Sequence, residues 1–304
     1  MLFRSGSIFS LTRGAKGWGL RVLHTFSGDE ATCFGLAYQG QESGAPWNGT
    51  SPLFGVTDTG GQYGNGYVYE LKPSGWTYTD IHNFQTSSYP NRPLVDATGN
   101  VFGTVINGGK YGGGLMYKLA AGTWGETVLH NFCAGACAEG ARPVGKLLMD
   151  AAGNLFTMTR DGGLGACNEG DGCGVVSERT AGGSYNVLYK LCSLANCADG
   201  ADPGNAGLIM DSAGHLFGTT NGGGSALHCA SQLDGGCGVA FELTESGGSW
   251  SEAVLHPFCN WDNCGDGSYP DASLALDGAG DLFGTTLLLG AHGDGGTVFE
   301  LIPQ

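Results

Sequence analysis

Charge is scarce in this sequence, and basic charge scarcer still. Of 304 residues only 13% are charged, with 13 Lys or Arg against 28 Asp or Glu, for a formal net charge of −15. No Lys/Arg cluster interrupts the acidic background, which argues against nucleic acid and anionic membrane surfaces as partners, because counterion release needs a basic footprint. Long apolar runs are missing too. No stretch approaches the roughly 20 residues that cross a bilayer as a helix, so membrane insertion is not expected. The opening "MLFRSGSIFS" has no apolar core of a secretory signal; a signal lying outside this chain, or a fragment of a longer repeat array, is the expectation, and "GSIFSL" already reads as the middle of a repeat. Helical periodicity is absent at any useful length. Gly-rich runs such as "GGKYGGG" fall between strand-like segments and open no helix, so nucleotide binding has no support. What is plentiful is glycine, 58 residues, with 41% hydrophobic residues, the composition of a turn-rich globular β-protein.

The apolar segments repeat. "LFGTT" stands at Leu216–Thr220 and again at Leu282–Thr286, with variants "LFGVT" at Leu53, "VFGTV" at Val101 and "LFTMT" at Leu155. Upstream lies an apolar run ending in Asp and a Gly turn ("LLMDAAGN", "LIMDSAGH", "LALDGAGD"). Downstream come a Gly-rich loop, then "GYVYEL", "GLMYKL", "GVAFEL" or "GTVFEL", then "VLHTF", "DIHNF", "VLHNF", "VLYKL" or "VLHPF". We label the four segments a, b, c and d. Short β-branched and aromatic runs separated by Gly, Asn and Asp turns predict a four-stranded antiparallel meander. Units of about 60 residues predict a β-propeller, whose blades cannot bury their faces alone. The expected fold is all-β: one domain over residues 1–304, a five-bladed propeller of four-stranded antiparallel blades. It is closed by the N-terminal strand Val22–Phe26 joining the C-terminal blade, which removes an open edge, and one c copy is then surplus.

These phrases resemble the GloVer (Gloeo/Verruco) tandem-repeat family of bacterial secreted and surface proteins. The resemblance spans nearly the whole chain through "D-x-x-G-N-L-F-G-T-T … G-T-V-F-E-L … V-L-H-x-F", and it implies an extracellular or cell-surface, propeller-like protein. It carries no agreed catalytic residues to transfer. The first repeat departs most, inserting residues between a and b and lacking the Asp.

The 11 cysteines lie in d-to-a or b-to-c connections, which leave an antiparallel meander at the same end. Local pairing joins Cys133–Cys137, Cys167–Cys173, Cys192–Cys197, Cys229–Cys237 and Cys259–Cys264, leaving Cys33 over. A zinc site is the rival reading of C-x3-C and C-x4-C, but an acidic, disulfide-permissive context and variable spacing favour bridges.

The same end holds the long loops, where rigid scaffolds place binding and catalysis. Residues just before strand a and just after strand b should ring a central pocket. Its acids are Asp58, Asp271, Asp161, Glu30 and Asp202, with Asp58 and Asp271 the favoured catalytic pair. Substrate would meet Asn91, Arg92, Asn107, Arg160, Asn205 and Asn221 and the aromatics Tyr63, Tyr89, Trp261 and Tyr269. Asp96, Asp150, Asp211 and Asp277 recur at one turn position and read as turn formers. His24, His82, His130 and His256 share one slot on strand d and read as packing or hydrogen-bonding residues. No cofactor and no metal are expected; calcium is the cation that Asp262, Asn263 and Asp266 would suit.

An acidic propeller with a carboxylate-lined pocket fits a glycoside hydrolase, in which one carboxylic acid protonates the leaving oxygen and a second carboxylate acts as nucleophile or base. The expected substrate is a carbohydrate or other small neutral molecule, a β-galactoside taken from one end being the first choice, and the chain is expected to act as a monomer. A lectin-like carbohydrate-binding module and a structural surface repeat without catalysis are the alternatives. For the cysteines, mass mapping of the unreduced chain should join each to its sequence neighbour and leave Cys33 alone; a bridge between different blades would overturn the pairing.

Overall fold

The computed structural model describes residues 6–26, 35–163, 165, 167, 170–224, 236–290, 293 and 295–303. It is all-β, and none of its six sheets closes on itself. A two-stranded sheet pairs β1 (Ser7–Gly14) with β2 (Gly17–Thr25). The first full repeat is β3 (Ala37–Tyr38), β4 (Leu53–Thr57), β5 (Tyr67–Lys72) and β6 (Thr77–Asn83), hydrogen-bonded in that order. In the second, β9 (Val101–Asn107) pairs with β7 (Ser88–Pro90), β8 (Leu94–Val95) and β10 (Leu115–Leu119), and β11 (Glu126–Asn131) lies beyond β10. The third repeat is β12 (Ala141–Met149), β13 (Leu155–Asp161), β14 (Val175–Arg179) and β15 (Tyr185–Lys190). The fourth is β16 (Ile209–Met210), β17 (Leu216–Thr220), β18 (Val239–Ser246) and β19 (Ser249–Pro257). The last has three strands, β20 (Ala275–Leu276), β21 (Leu282–Thr285) and β22 (Val298–Leu301).

This a-b-c-d order is the one read from the sequence, except at the seam. Strand β2 pairs with β1, and the last sheet stops at its c strand, so the expected closure through Val22–Phe26 is absent from the described pairings. The reason lies in the hairpin itself. Its register shifts between Ile8 and Phe9, opposite Leu23 of "VLH". The same shift occurs opposite Ile81, Leu188 and Leu255 in three other c–d pairs. The surplus c copy is therefore the native partner of β2. The chain forms two compact units, one of residues 1–109 and 115–129, the other of residues 110–114 and 130–304.

"LFGTT" is an instruction for packing. Its Leu or Val is buried in every repeat, at Leu53, Val101, Leu155, Leu216 and Leu282. Its Gly makes room for an aromatic ring carried by strand c directly opposite: Gly55 faces Tyr69, Gly103 Tyr117, Gly218 Phe241 and Gly284 Phe299. A Cβ at these glycines would lie 2.2, 2.4, 2.6 and 2.3 Å from the nearest ring-system atom. The third repeat, which breaks the phrase, has Thr157 opposite Ser177, so a larger b residue meets a smaller c residue. The final Thr accepts the first N–H of strand c, from Tyr67 to Thr57, Val175 to Thr159, Val239 to Thr220 and Thr297 to Thr286, at 2.9–3.2 Å.

The remaining motif positions also resolve into structure. Asp96, Asp150, Asp211 and Asp277 each accept N–H bonds from residues two and four later at 2.8–3.0 Å, closing the a–b turns as expected. In "VLHxF" the His packs edge-on against the Phe at 4.8–5.0 Å, at His24–Phe26, His82–Phe84, His130–Phe132 and His256–Phe258. No helix among the described residues is long and apolar enough to cross a membrane. Because Gly103 has no room for a methyl group, Gly103→Ala should cost about 1–3 kcal/mol through overpacking. Adding Tyr117→Ser, which imitates the third repeat, should recover part of that loss in urea melts; a Gly103→Ala chain as stable as the parent would refute the interlock.

Candidate functional site

Every described cysteine, and every expected site acid within the described residues, lies at the b–c and d–a end of its sheet. Four bridges join pairs of described cysteines, Cys133–Cys137, Cys167–Cys173, Cys192–Cys197 and Cys259–Cys264. These local bridges suit an extracellular or otherwise oxidising environment. Cys33, Cys229 and the expected acid Glu30 lie outside the described residues.

In the second unit the site is built on a strained step that the sequence reading did not find. Arg142 and Asp202 precede prolines, as do Tyr89 in the first unit and Tyr269 in the second, and all four have positive φ, at 54°, 48°, 61° and 57°. Proline ordinarily drives its predecessor to extended backbone, and a non-glycine residue in this region costs of order 1–3 kcal/mol. Hydrogen bonds hold the geometry. Arg142, Asp202 and Tyr269 donate their N–H groups to the carbonyls of Gly113, Cys173 and Cys237, each just before the Gly that opens a c strand. The carbonyls of Asp202 and Tyr269 accept from Asn221 and Leu287 at 2.6 and 2.9 Å.

Around this step the polar residues form a ladder. The Arg142 guanidinium meets Asp161 Oδ2 at 3.1 Å and Asp171 Oδ2 at 3.9 Å. Arg160 reaches from the end of β13 to Asp202 Oδ1 at 3.5 Å. Asn221, one residue past β17, donates to Asp271 Oδ1 at 3.0 Å, and Asn205 donates its backbone N–H at 2.9 Å and its side-chain amide at 3.1 Å to the same carboxylate. Asp161 and Asp202 are each 3% exposed, whereas the two arginine side chains are about half exposed. Burial pushes the Asp161 carboxyl up, Arg142 and Arg160 oppose the shift, and Asp171 and Asp202 reinforce it. Six expected residues, Asp161, Asp202, Asp271, Arg160, Asn205 and Asn221, thus come together with the unforeseen Arg142.

The other expected residues are placed differently. Asp58 and Asn107 are half-buried at the ends of their b segments in the first unit. There Asn91 donates to the Thr104 hydroxyl at 2.9 Å, and Arg92 donates to the Leu36 carbonyl at 2.8 Å, both structural contacts. Tyr63 and Tyr89 are exposed there; in the second unit Trp261 is exposed and Tyr269 buried. The carboxylate of Asp266, considered for calcium, accepts N–H bonds from Asn260 and Trp261 and faces His256 Nε2 at 2.9 Å. It is turned into its own loop, which gives His256 the hydrogen-bonding role expected of that slot.

The chain matches the Gloeobacter/Verrucomicrobia repeat over residues 2–231. It belongs to this repeat family. Solved structures similar to this family member are β-propeller-like. One is a nidogen/laminin complex, 14% identical at a TM-score of 0.54 over 99% of this chain and 92% of that one. Another is an oligogalacturonate lyase in complex with manganese, 10% identical at 0.54 over 94% and 69%. A third is a gluconolactonase from Xanthomonas campestris, 14% identical at 0.50 over 89% and 75%. At these identities the likeness concerns the fold alone. No curated protein matches the chain.

Two further features of the second unit were missed from sequence. A cleft of about 1220 Å³ lies between the sheets of the fourth and last repeats, lined by Met210, Phe217, Val254, Leu276, Leu301 and Ile302 with Glu242 and Glu300 at hand. On strand β19, Glu252 is raised to about 7 by burial and by the Asp199 charge, and its Oε1 has no hydrogen-bond partner. Asp199 itself takes the Tyr189 hydroxyl at 2.8 Å and two loop N–H groups. A carboxyl raised from 4.5 to about 7 stabilises the fold in its protonated form, fully below pH 4.5, and that contribution is lost as pH rises through about 7. Glu252→Gln should therefore raise the melting temperature at pH 8 and leave it unchanged at pH 4. An equal shift at both values would refute the assignment.

Proposed function

We propose that this protein is a secreted carbohydrate-active hydrolase whose chemistry is carried by the Asp161–Asp202–Asp271 ladder. The observation that carries the reading is the state of Asp161: a buried carboxyl, pushed up by desolvation, set beside two arginines and feeling the charge of Asp202. A general acid must hold its proton near the working pH while a second carboxylate stays ionised. Asp161 suits the donor, and Asp202, with Arg160 against its Oδ1, suits the ionised partner. Asp271 holds Asn205 and Asn221, whose remaining amide capacity would orient sugar hydroxyls. This ordering places Asp161 and Asp202 ahead of the pair Asp58 and Asp271 favoured by spacing. A β-galactoside remains the first substrate to try.

One observation supports the alternative of a lectin-like binding module. Each ladder carboxylate is already engaged by a neighbouring side chain, an arrangement that also serves rigid, non-catalytic recognition.

A panel of chromogenic glycosides tests the proposal. We expect turnover of at least one substrate, falling by about 10²–10⁴-fold in Asp161→Asn, the range for losing a positioned acid, with far-UV dichroism retained. Asp96→Asn, which alters only an a–b turn, should keep its turnover. Binding on a glycan array without cleavage would favour the lectin, and neither cleavage nor binding would leave the structural repeat.

A further inference from the structure

Four cysteine sulfurs from two loops meet in the third repeat. Cys167 and Cys173 come from the b–c loop between β13 and β14, and Cys192 and Cys197 from the connection between β15 and β16. Each pair forms its own disulfide, yet all four Sγ atoms lie within 4.8 Å of one another. The cluster is walled by Leu191, Ala201 and Tyr189, with Cys167 7% and Cys173 0% exposed. Gly165 closes over it at a φ of +82°, and a Cβ there would lie 2.4 Å from Cys173 Sγ and 3.6 Å from Cys192 Sγ.

Chain entropy alone does not call for this arrangement, because bridges over such short loops gain little. A tetrathiolate does call for it. With Zn–S bonds of about 2.3 Å, a tetrahedral site has sulfur–sulfur edges of about 3.8 Å. With the sulfurs already within 4.8 Å of one another, the two loops need approach by no more than about 1 Å once each reduced pair has opened to that spacing. Ligands arriving as two sequence-local pairs from two loops are the pattern of structural zinc sites.

We propose that Cys167, Cys173, Cys192 and Cys197 form a redox-gated metal site: two disulfides in oxidising surroundings, and a tetrathiolate for one soft divalent cation such as zinc once a dithiol has reduced them. Each disulfide takes two electrons and two protons from one dithiol, which leaves as its own disulfide. The four resulting thiols release four protons to water as the cation binds, and the two loops stay pinned in either state. In the fourth repeat Cys237 packs in one buried cluster with the bridged pair Cys259–Cys264.

The test uses the full chain carrying Cys259→Ser and Cys264→Ser, which removes that second group. Reduced anaerobically with dithiothreitol, freed of reductant and titrated with Co²⁺, it should show thiolate-to-cobalt charge transfer and tetrahedral d–d bands that saturate at one equivalent and vanish on adding Zn²⁺. The oxidised chain should show neither. Adding Cys192→Ser and Cys197→Ser should abolish the bands, whereas adding Cys133→Ser and Cys137→Ser should leave them. Cys167→Ser alone, which keeps the Cys192–Cys197 bridge when oxidised, should lose the four-sulfur spectrum and guards against a folding artefact. Absence of tetrahedral bands in the reduced chain, or unchanged bands without Cys192 and Cys197, would overturn the site.

Discussion

The interlock between strands b and c is the constraint on which the rest of the structure depends. A glycine on b lets a Tyr or Phe on c lie flat across it, and that ring fills the layer between neighbouring sheets: Phe54, Val95, Val101 and Tyr117 share one core cluster, Phe156, Val176, Leu216 and Phe241 another. These glycines are absent from the positive-φ residues. They are required for the volume they leave free, not for conformational freedom, and interiors packed at crystal density leave no slack to absorb a methyl group. Once b and c are fixed, the closing Thr of "LFGTT" sets the start of c, and the loops at that end are launched from a rigid edge.

That edge explains how strain is tolerated where the polar ladder stands. A pre-proline residue at positive φ would relax to extended backbone if it were free. Here Arg142, Asp202 and Tyr269 are tied by their N–H groups to carbonyls next to the glycines that open c strands. The local cost is borne by hydrogen bonds that cannot shift without moving a packed sheet. The result is a set of side chains aimed by backbone rather than by rotamer, as a site built on a rigid scaffold requires.

How much of this was legible depended on whether the signal was local. The Asp of each a–b turn, the His and Phe of strand d and the short cysteine pairs act within a few residues, and their roles were readable from spacing. The polar ladder was half readable: Asp161 and Asn221 stand at the ends of b strands and Asp202, Asn205 and Asp271 in the connections before a strands, but Arg142 sits before a proline where extended backbone is the rule, and nothing local announces φ of 54°. Glu252 was invisible because its perturbation comes first from burial and then from Asp199, more than 50 residues earlier, both of them set by tertiary packing. The closure was misread because "VLHTF" carries the same signal whether its c partner precedes it in a hairpin or lies in the last sheet.

In a chain built by repetition, the informative positions are those where repetition fails, and the third repeat holds a set of them at its core and its loop end. The third repeat replaces the Gly–aromatic pair by Thr157 and Ser177. It carries Tyr189 where other d strands have His, and Leu191 where they have Phe. It supplies Arg142, Arg160 and Asp161, and both cysteine pairs of the four-sulfur cluster meet at its loop end. These departures stand beside the polar ladder and the four-sulfur cluster. The lost Gly–aromatic pair is compensated in the core: Ser177 accepts from the Tyr185 hydroxyl at 2.8 Å, and Tyr185 stacks on His130 with ring centres 3.7 Å apart. The third repeat thus keeps its core filled by other means while its loop end departs from the pattern.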